Sequence, residues 1–181
     1  MFPVIWAVTI SSGHGPVAML QVRWFEYKSE MVPDLSGTTD IFIIQGYKME
    51  DIIDALRECN EEVSFPLTLP DEDELIEIEE QLLLPLPDDY KTFLLTVSDV
   101  ICGHLEPATV TDPQSHTYLP EMAATAWNDG VSRALIPICQ VDGDYYCIDQ
   151  DGLVVLWSGD DVTEDEWSNI WQWAKEIWLE T

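Results

Sequence analysis

Three short runs rich in β-branched and aromatic residues lie close together in the last third of the chain, and they constrain its fold most strongly. They read LIPICQV, DYYCID and LVVLW, between Leu135 and Trp157. Asp142-Gly143 separates the first two runs and Asp151-Gly152 the last two. Since Asp-Gly is a preferred two-residue hairpin turn, the pattern predicts a three-stranded antiparallel meander in which Val141 pairs with Asp144.

The same stretch crowds aspartates around its two glycines, which also suggests a calcium-binding loop. If Gly152 took the sixth position of such a loop, Asp149 and Asp151 would take the third and fifth, but Cys147 and Ser158 would fall at the first and twelfth. Two required ligands are then missing. The hairpin interpretation is therefore preferred, and neither a bound metal nor any other cofactor is expected.

The cysteines show neither paired CxxC spacing nor the density of a disulfide scaffold. The spacing favours ordinary core thiols and a reducing, cytoplasmic setting for all four: Cys59, Cys102, Cys139 and Cys147. In the predicted meander Ile138 lies opposite Cys147 and Cys139 lies opposite Tyr146. Cys139 and Cys147 would then project from opposite faces of the sheet and should not bond to each other.

Helical periodicity accounts for most of the remaining chain from residue 49 onward. MEDIIDALREC suits a short amphipathic helix, and Asp71 with Glu74 forms a capping box at the start of a second helix. Proline breaks precede a third helix with an apolar stripe, and a fourth, YLPEMAATAWNDG, ends at Gly130. The stripe of the third helix consists of Tyr90, Phe93, Leu94 and Val97.

A last helix is predicted at the C-terminal end of the chain. Thr163 and Glu166 match a second capping box, and an apolar stripe follows at helical spacing. Trp173 lies off this stripe, which consists of Trp167, Ile170, Trp171, Ala174, Ile177 and Trp178. Together, the helices and the meander predict an α+β fold with an antiparallel sheet packed against several helices.

Charge divides the chain into two parts at Met49. Residues 1–48 hold 3 basic and 4 acidic residues, a net charge of −1, whereas residues 49–181 hold 4 basic and 31 acidic residues, a net charge of −27. Such an acidic domain lacks the basic residues that binding to phosphates requires, so nucleic acid is not expected as a partner. Repulsion among these carboxylates raises the free energy of the compact state, so some compensating interaction is expected.

The sequence offers no clear catalytic motif. GxSxG, P-loop, GxGxxG and HExxH patterns are absent, and so many carboxylates make any acid–base pair uninformative. Cys102 with His104 is a weak candidate for a nucleophilic pair, because no third orienting group is identifiable. His104, His116 and nearby Glu106 or Asp112 form a weak metal candidate, for which surface polar residues are the preferred interpretation.

From Met49 to the end, the order of the elements resembles the SUKH superfamily, in the branch that includes the yeast cell-wall assembly regulator. The matching stretches are LPDDYKTFL at residues 86–94, IPI at 136–138, DYYCID at 144–149, and Asp151-Gly152 through Trp157. The family often has an Asn-Gly-Gly-like turn after its proline-started helix. This chain instead has VSDV at residues 97–100 and reaches glycine only at Gly103.

The resemblance implies an α+β domain without catalytic residues, whose bacterial relatives are largely immunity proteins of polymorphic or contact-dependent toxin systems. We therefore expect a cytoplasmic monomer or weak dimer that binds a basic protein toxin, with neither nucleic acid nor membrane as partner. A nucleic-acid-mimicking inhibitor and a regulatory interaction domain remain alternatives, as does an enzyme that uses a carboxylate pair. Exposed turns and a helix start provide the predicted binding residues, Asp88, Asp89, Asp142, Asp144 and Asp151.

Residues 1–48 have no recognised counterpart in the family and are predicted to be dispensable for the fold. One explanation is that translation naturally begins at Met49, directly before an acidic first helical turn that the helix dipole favours. The other is a genuine N-terminal extension in which AMLQVRWFEY and IFIIQG form strands. The first explanation is preferred, and the intact mass of the protein from its own cells decides between them.

Overall fold

The computed structural model describes residues 48–180, so the strands predicted in residues 1–47 lie outside the described part of the chain. The described elements follow one another in a simple order: α1 (Met49–Cys59), α2 (Glu72–Leu82), α3 (Asp88–Val97), α4 (Leu119–Asp129), β1 (Ile136–Val141), β2 (Asp144–Ile148), β3 (Val154–Ser158), β4 (Asp161–Trp167), α5 (Ile170–Trp173) and a π-helical turn (Ala174–Trp178). The fold is α+β, as predicted, with the helices packed around one antiparallel sheet of order β1-β2-β3-β4.

The predicted meander forms the first three strands of the sheet. Asp142 and Gly143 both have positive φ, 51° and 96°, which is the geometry of a type I′ hairpin turn. Val141 pairs with Asp144 as predicted. A bulge between Pro137 and Cys139, however, places Pro137 rather than Ile138 opposite Cys147. Proline has no N–H for the ladder and is accommodated at such irregularities.

A fourth strand replaces the helix start predicted around Thr163 and Glu166, so the capping-box interpretation was wrong. Ser158 pairs with Asp161 across a two-residue turn, in which Gly159 and Asp160 have φ of 61° and 94°. Pairing with β4 satisfies backbone groups of β3 that would otherwise lie at a bare sheet edge. This tertiary gain outweighs the local capping signal.

The first four helices follow their sequence signals. The Asp71 carboxylate accepts a hydrogen bond from the Glu74 N–H, and the Glu74 carboxylate accepts one from the Asp71 N–H, both at 2.9 Å. Gly130, with φ of 115°, ends α4 and donates its N–H to the Ala126 carbonyl. All four residues of the predicted α3 stripe are buried. These local predictions are confirmed.

The C-terminal helical segment begins later than predicted and contains a π-helical turn. The Asn169 side chain caps α5 by accepting from the Gln172 N–H at 2.9 Å. The Leu179 N–H then donates to the Ala174 carbonyl, five residues earlier. Because a π-turn brings residues five apart into line, Trp173 and Trp178 both point into the core, with ring centroids 6.4 Å apart. The prediction that Trp173 lies off the apolar stripe was wrong.

A disulfide joins Cys59 at the end of α1 to Cys102 after α3. The expectation that all four cysteines are core thiols was therefore wrong for this pair. Sequence spacing gave no sign of it, because the two cysteines are 43 positions apart and come together only when α1 packs against α3. Cys139 and Cys147 are free, buried and not bonded to each other, as predicted.

Candidate partner-binding surface

Three of the five predicted binding aspartates lie in the turns of the meander, but at opposite ends of it. Asp142 lies in the β1–β2 turn and Asp144 begins β2 directly after it, whereas Asp151 lies in the β2–β3 turn, at the other end of the five-residue strand β2. At about 3.3 Å per residue, the two turns are roughly 16 Å apart. Asp142 and Asp151 are exposed and Asp144 is half-buried. The structure does not bring these three carboxylates into one cluster.

The other two predicted aspartates begin α3. Asp88 and Asp89 form its first turn, are both exposed, and follow the N-cap residue Pro87. The positive end of the helix dipole stabilises carboxylates at this position. That effect alone explains their presence, and it leaves both side chains accessible to a partner.

Asp149, which suggested a calcium loop, has a structural role. Its Oδ1 accepts hydrogen bonds from the N–H groups of Asp151 and Leu153, both at 2.9 Å, and thereby holds the β2–β3 turn. Within residues 48–180 no group of three or more His, Cys, Asp or Glu side chains is arranged to hold a metal ion.

The structure also shows how the residues of two weak candidate sites are arranged, the Cys102–His104 pair and the possible metal group that includes His116. Cys102 is bonded to Cys59 and therefore has no thiol with which to act as a nucleophile beside His104. His116 Nε2 forms a hydrogen bond with the Glu106 carboxylate on the surface, where their side chains are 77% and 62% exposed. The structure thus brings together two members of the suggested metal group in a solvated pair.

Few carboxylates of the domain have cationic neighbours, because residues 49–181 contain 31 acidic and 4 basic residues. Arg57 pairs with Asp99 and Lys91 pairs with Glu79, each at 2.8 Å. Partial burial would raise the pKa of Glu79, but hydrogen bonds from Lys91 and the Leu86 N–H outweigh it and lower this pKa. A large excess of unneutralised carboxylates remains on the domain.

Sequence reasoning missed an acidic edge on the sheet because it placed these residues in a helix. The acidic edge consists of Asp161, Glu164, Asp165 and Glu166 on β4, all exposed. The Val162 N–H donates to Asp161 Oδ1 at 2.8 Å, and the Asp165 N–H donates to Thr163 Oγ1 at 3.2 Å. Local side chains thus occupy edge donors, and the charge opposes pairing with another strand. The Gly159-Asp160 dipeptide is the hairpin signal that could have revealed this strand.

The fold and surface define an α+β domain with an acidic exterior, and comparison with known families places it more closely. Residues 49–179 match the SUKH_5 family, described as SMI1-KNR4 cell-wall. The chain belongs to this family, and thus to the SUKH superfamily, which includes immunity proteins.

A crystal structure of a protein from Pseudomonas syringae pv. tomato is similar to this chain. The two share 62% sequence identity with a TM-score of 0.72, over 73% of this chain and 99% of that one. No curated protein matches the sequence significantly. In residues 48–180, no helix has the length and apolar character to cross a membrane.

Proposed function

We propose that this protein is a non-catalytic immunity protein that binds and neutralises a basic toxin domain. The toxin would be a nuclease of a bacterial polymorphic or contact-dependent toxin system. The observation that carries the proposal is a SUKH domain with 31 acidic and 4 basic residues. A nuclease binds phosphates with basic side chains, and an inhibitor covers such a surface best with carboxylates.

The charge also supports a kinetic expectation. Long-range attraction between an acidic inhibitor and a basic toxin speeds their encounter, and salt screens it over about 8 Å at physiological ionic strength. Association should therefore slow markedly as salt is raised from low to physiological concentration. An association rate that does not depend on salt would contradict electrostatic steering.

Affinity capture of the full chain from its own cells, followed by mass spectrometry, tests the proposal. We expect a basic toxin domain as the stoichiometric partner. Recovery of a DNA-binding protein without toxic activity would instead favour a nucleic-acid-mimicking inhibitor, which the same charge supports. Recovery of a cell-wall synthesis or regulatory protein would favour the regulatory interaction role that the family description suggests.

The five predicted aspartates can now be tested in separate groups. Because the two meander turns lie at opposite ends of β2, charge reversal by Asp142→Lys with Asp144→Lys probes one end and Asp151→Lys probes the other. Asp88→Lys with Asp89→Lys probes the start of α3. A group in the interface should slow association and weaken binding when reversed, whereas unchanged affinity for all three groups would remove these residues from the interface.

A further inference from the structure

The connection between α2 and α3 contains an apolar groove, although the domain as a whole is strongly acidic. It has a volume of about 330 Å³ and is lined by Ile76, Glu79, Glu80, Leu83, Leu84 and Pro85. Ile76 is 52% exposed and Leu83 is 86% exposed, although the adjacent Leu82 and Leu86 are buried in the core. The chain therefore holds two large apolar side chains at the surface beside others that it buries.

Leu83 also adopts a backbone conformation that does not suit leucine. It follows the last turn of α2 with φ of 56° and ψ of 29°, in the left-handed region. That conformation is strained for a residue with a side chain, because Cβ comes too close to the following carbonyl oxygen. The equivalent position after α4 is occupied by Gly130, the residue type usually found there. A strained and exposed leucine at such a position indicates a role other than stability.

Hydrogen bonds and an ion pair tie the residues of the groove to the neighbouring helices. The Glu79 carboxylate accepts a hydrogen bond from the Leu86 N–H at 2.7 Å and pairs with Lys91 at 2.8 Å, which ties the connection to both helices. Tyr118 donates to the Gln81 side chain at 3.3 Å and links the end of α2 to α4. A rigid surface loses less entropy when it binds a partner.

The charges around the groove specify its occupant. Glu79 and Glu80 lie in the groove wall, where Lys91 pairs with Glu79 and Glu80 is exposed, on a domain with 31 acidic and 4 basic residues. A partner segment that is acidic, or that is apolar without charged residues, would lack charge complementarity to these carboxylates. A segment that presents an apolar side chain flanked by lysine or arginine would gain both apolar burial and ion pairing.

We propose that this groove, centred on Leu83, is the docking site for an apolar side chain of the partner that is flanked by basic residues. This inference rests on the proposed function in that it assigns the basic partner a place on the domain. Leu83 would be the anchor on the side of this chain, and the surrounding carboxylates would orient the incoming segment.

Photocrosslinking of the full chain in its own cells tests the site directly. A photoreactive phenylalanine analogue replaces Leu83 in one variant and Phe65, which is 90% exposed and outside the groove, in the control. We expect a position-83 adduct on a partner segment with lysine or arginine within a few residues. Adducts on residues 1–47, on a second copy, or on a segment without basic residues would overturn the proposal, as would a yield no higher than the control.

Substitution separates binding from folding. Asparagine tolerates the left-handed conformation, so Leu83→Asn should leave the thermal midpoint unchanged or raised while weakening the crosslinked partner's binding at least about tenfold. Phe65→Ser should change binding less than twofold. Equal affinities for wild type and Leu83→Asn would overturn the proposal.

Different results would contradict the proposed docking site and the proposed immunity function. A groove-bound partner with basic flanks that is not a toxin would support the docking site and contradict the proposed function. A neutralised toxin that binds Leu83→Asn as tightly as wild type would support the function and overturn the docking site.

Discussion

Removal of the Cys59–Cys102 disulfide should destabilise the domain substantially. The bond closes a loop with a sequence separation of 43 residues. In the chain-entropy treatment, a loop of this size restricts the unfolded state by about 4 kcal/mol at 25 °C. For a domain of this length, that corresponds to a decrease in thermal midpoint of roughly 15 °C.

The native state should change little when the bond is absent. Other contacts still attach the end of α1 to the segment after α3: the Ile101 N–H donates to the Asn60 side chain, and the Glu61 N–H donates to the Ile101 carbonyl, both at 2.8 Å. Arg57 also pairs with Asp99. The loss should therefore come mainly from a less restricted unfolded chain rather than from a disrupted fold.

Urea denaturation followed by tryptophan fluorescence measures this loss in Cys59→Ser/Cys102→Ser against the oxidised wild type. Reduced wild type, with Cys139 and Cys147 unchanged, is the matched control and should lose a similar amount. Thiol counting in denaturant should find two free thiols before reduction and four after it. A loss below about 1 kcal/mol in both samples would refute the loop-closure argument.

Further outcomes follow from the buried polar groups and the boundary at Met49. Among the described residues, the fully buried Tyr90 hydroxyl has no hydrogen-bond partner, so Tyr90→Phe should stabilise the domain by about 1 kcal/mol in urea denaturation; a destabilisation of that size would contradict this. Burial raises the pKa of Cys139 and Cys147 to about 12, so their contribution to stability is complete below their ordinary pKa near 9 and is lost as pH rises toward 12. Thermal midpoints between pH 8 and 11 should fall, and less steeply in Cys147→Ala; equal slopes would exclude this thiol as a cause. A chain of residues 49–181 should still unfold cooperatively on heating, and loss of that transition would show that residues 1–48 belong to the core.

Elements whose signals are local could be predicted from the sequence. The capping box of Asp71 and Glu74, the glycine at the end of α4 and the Asp142-Gly143 turn each depend on a few neighbouring residues, and all three form as predicted. Thr163 and Glu166 carry the same local signal as Asp71 and Glu74. There the signal failed, because pairing with β3 satisfied more backbone groups than a first helical turn would have.

Features that depend on packing could not be predicted. Trp173 is buried against aromatic rings that are distant in sequence, including Tyr146 at a centroid distance of 5.5 Å. The Cys59–Cys102 bond requires α1 to lie against α3. The candidate site was partly accessible to sequence reasoning, which identified the acidic turns, whereas the groove at Leu83 depends on which leucines the fold buries.

Protection from the captured toxin tests the central proposal most directly. The toxin domain recovered with this protein is expressed in recipient cells with the wild-type chain, with no partner, and with the Leu83→Asn chain. We predict that cells producing the toxin together with the wild-type chain grow normally, because the chain binds the toxin in a stoichiometric complex. Cells producing the toxin alone should stop growing. Equal growth arrest with and without the wild-type chain, under conditions where both proteins are made, would contradict the immunity function.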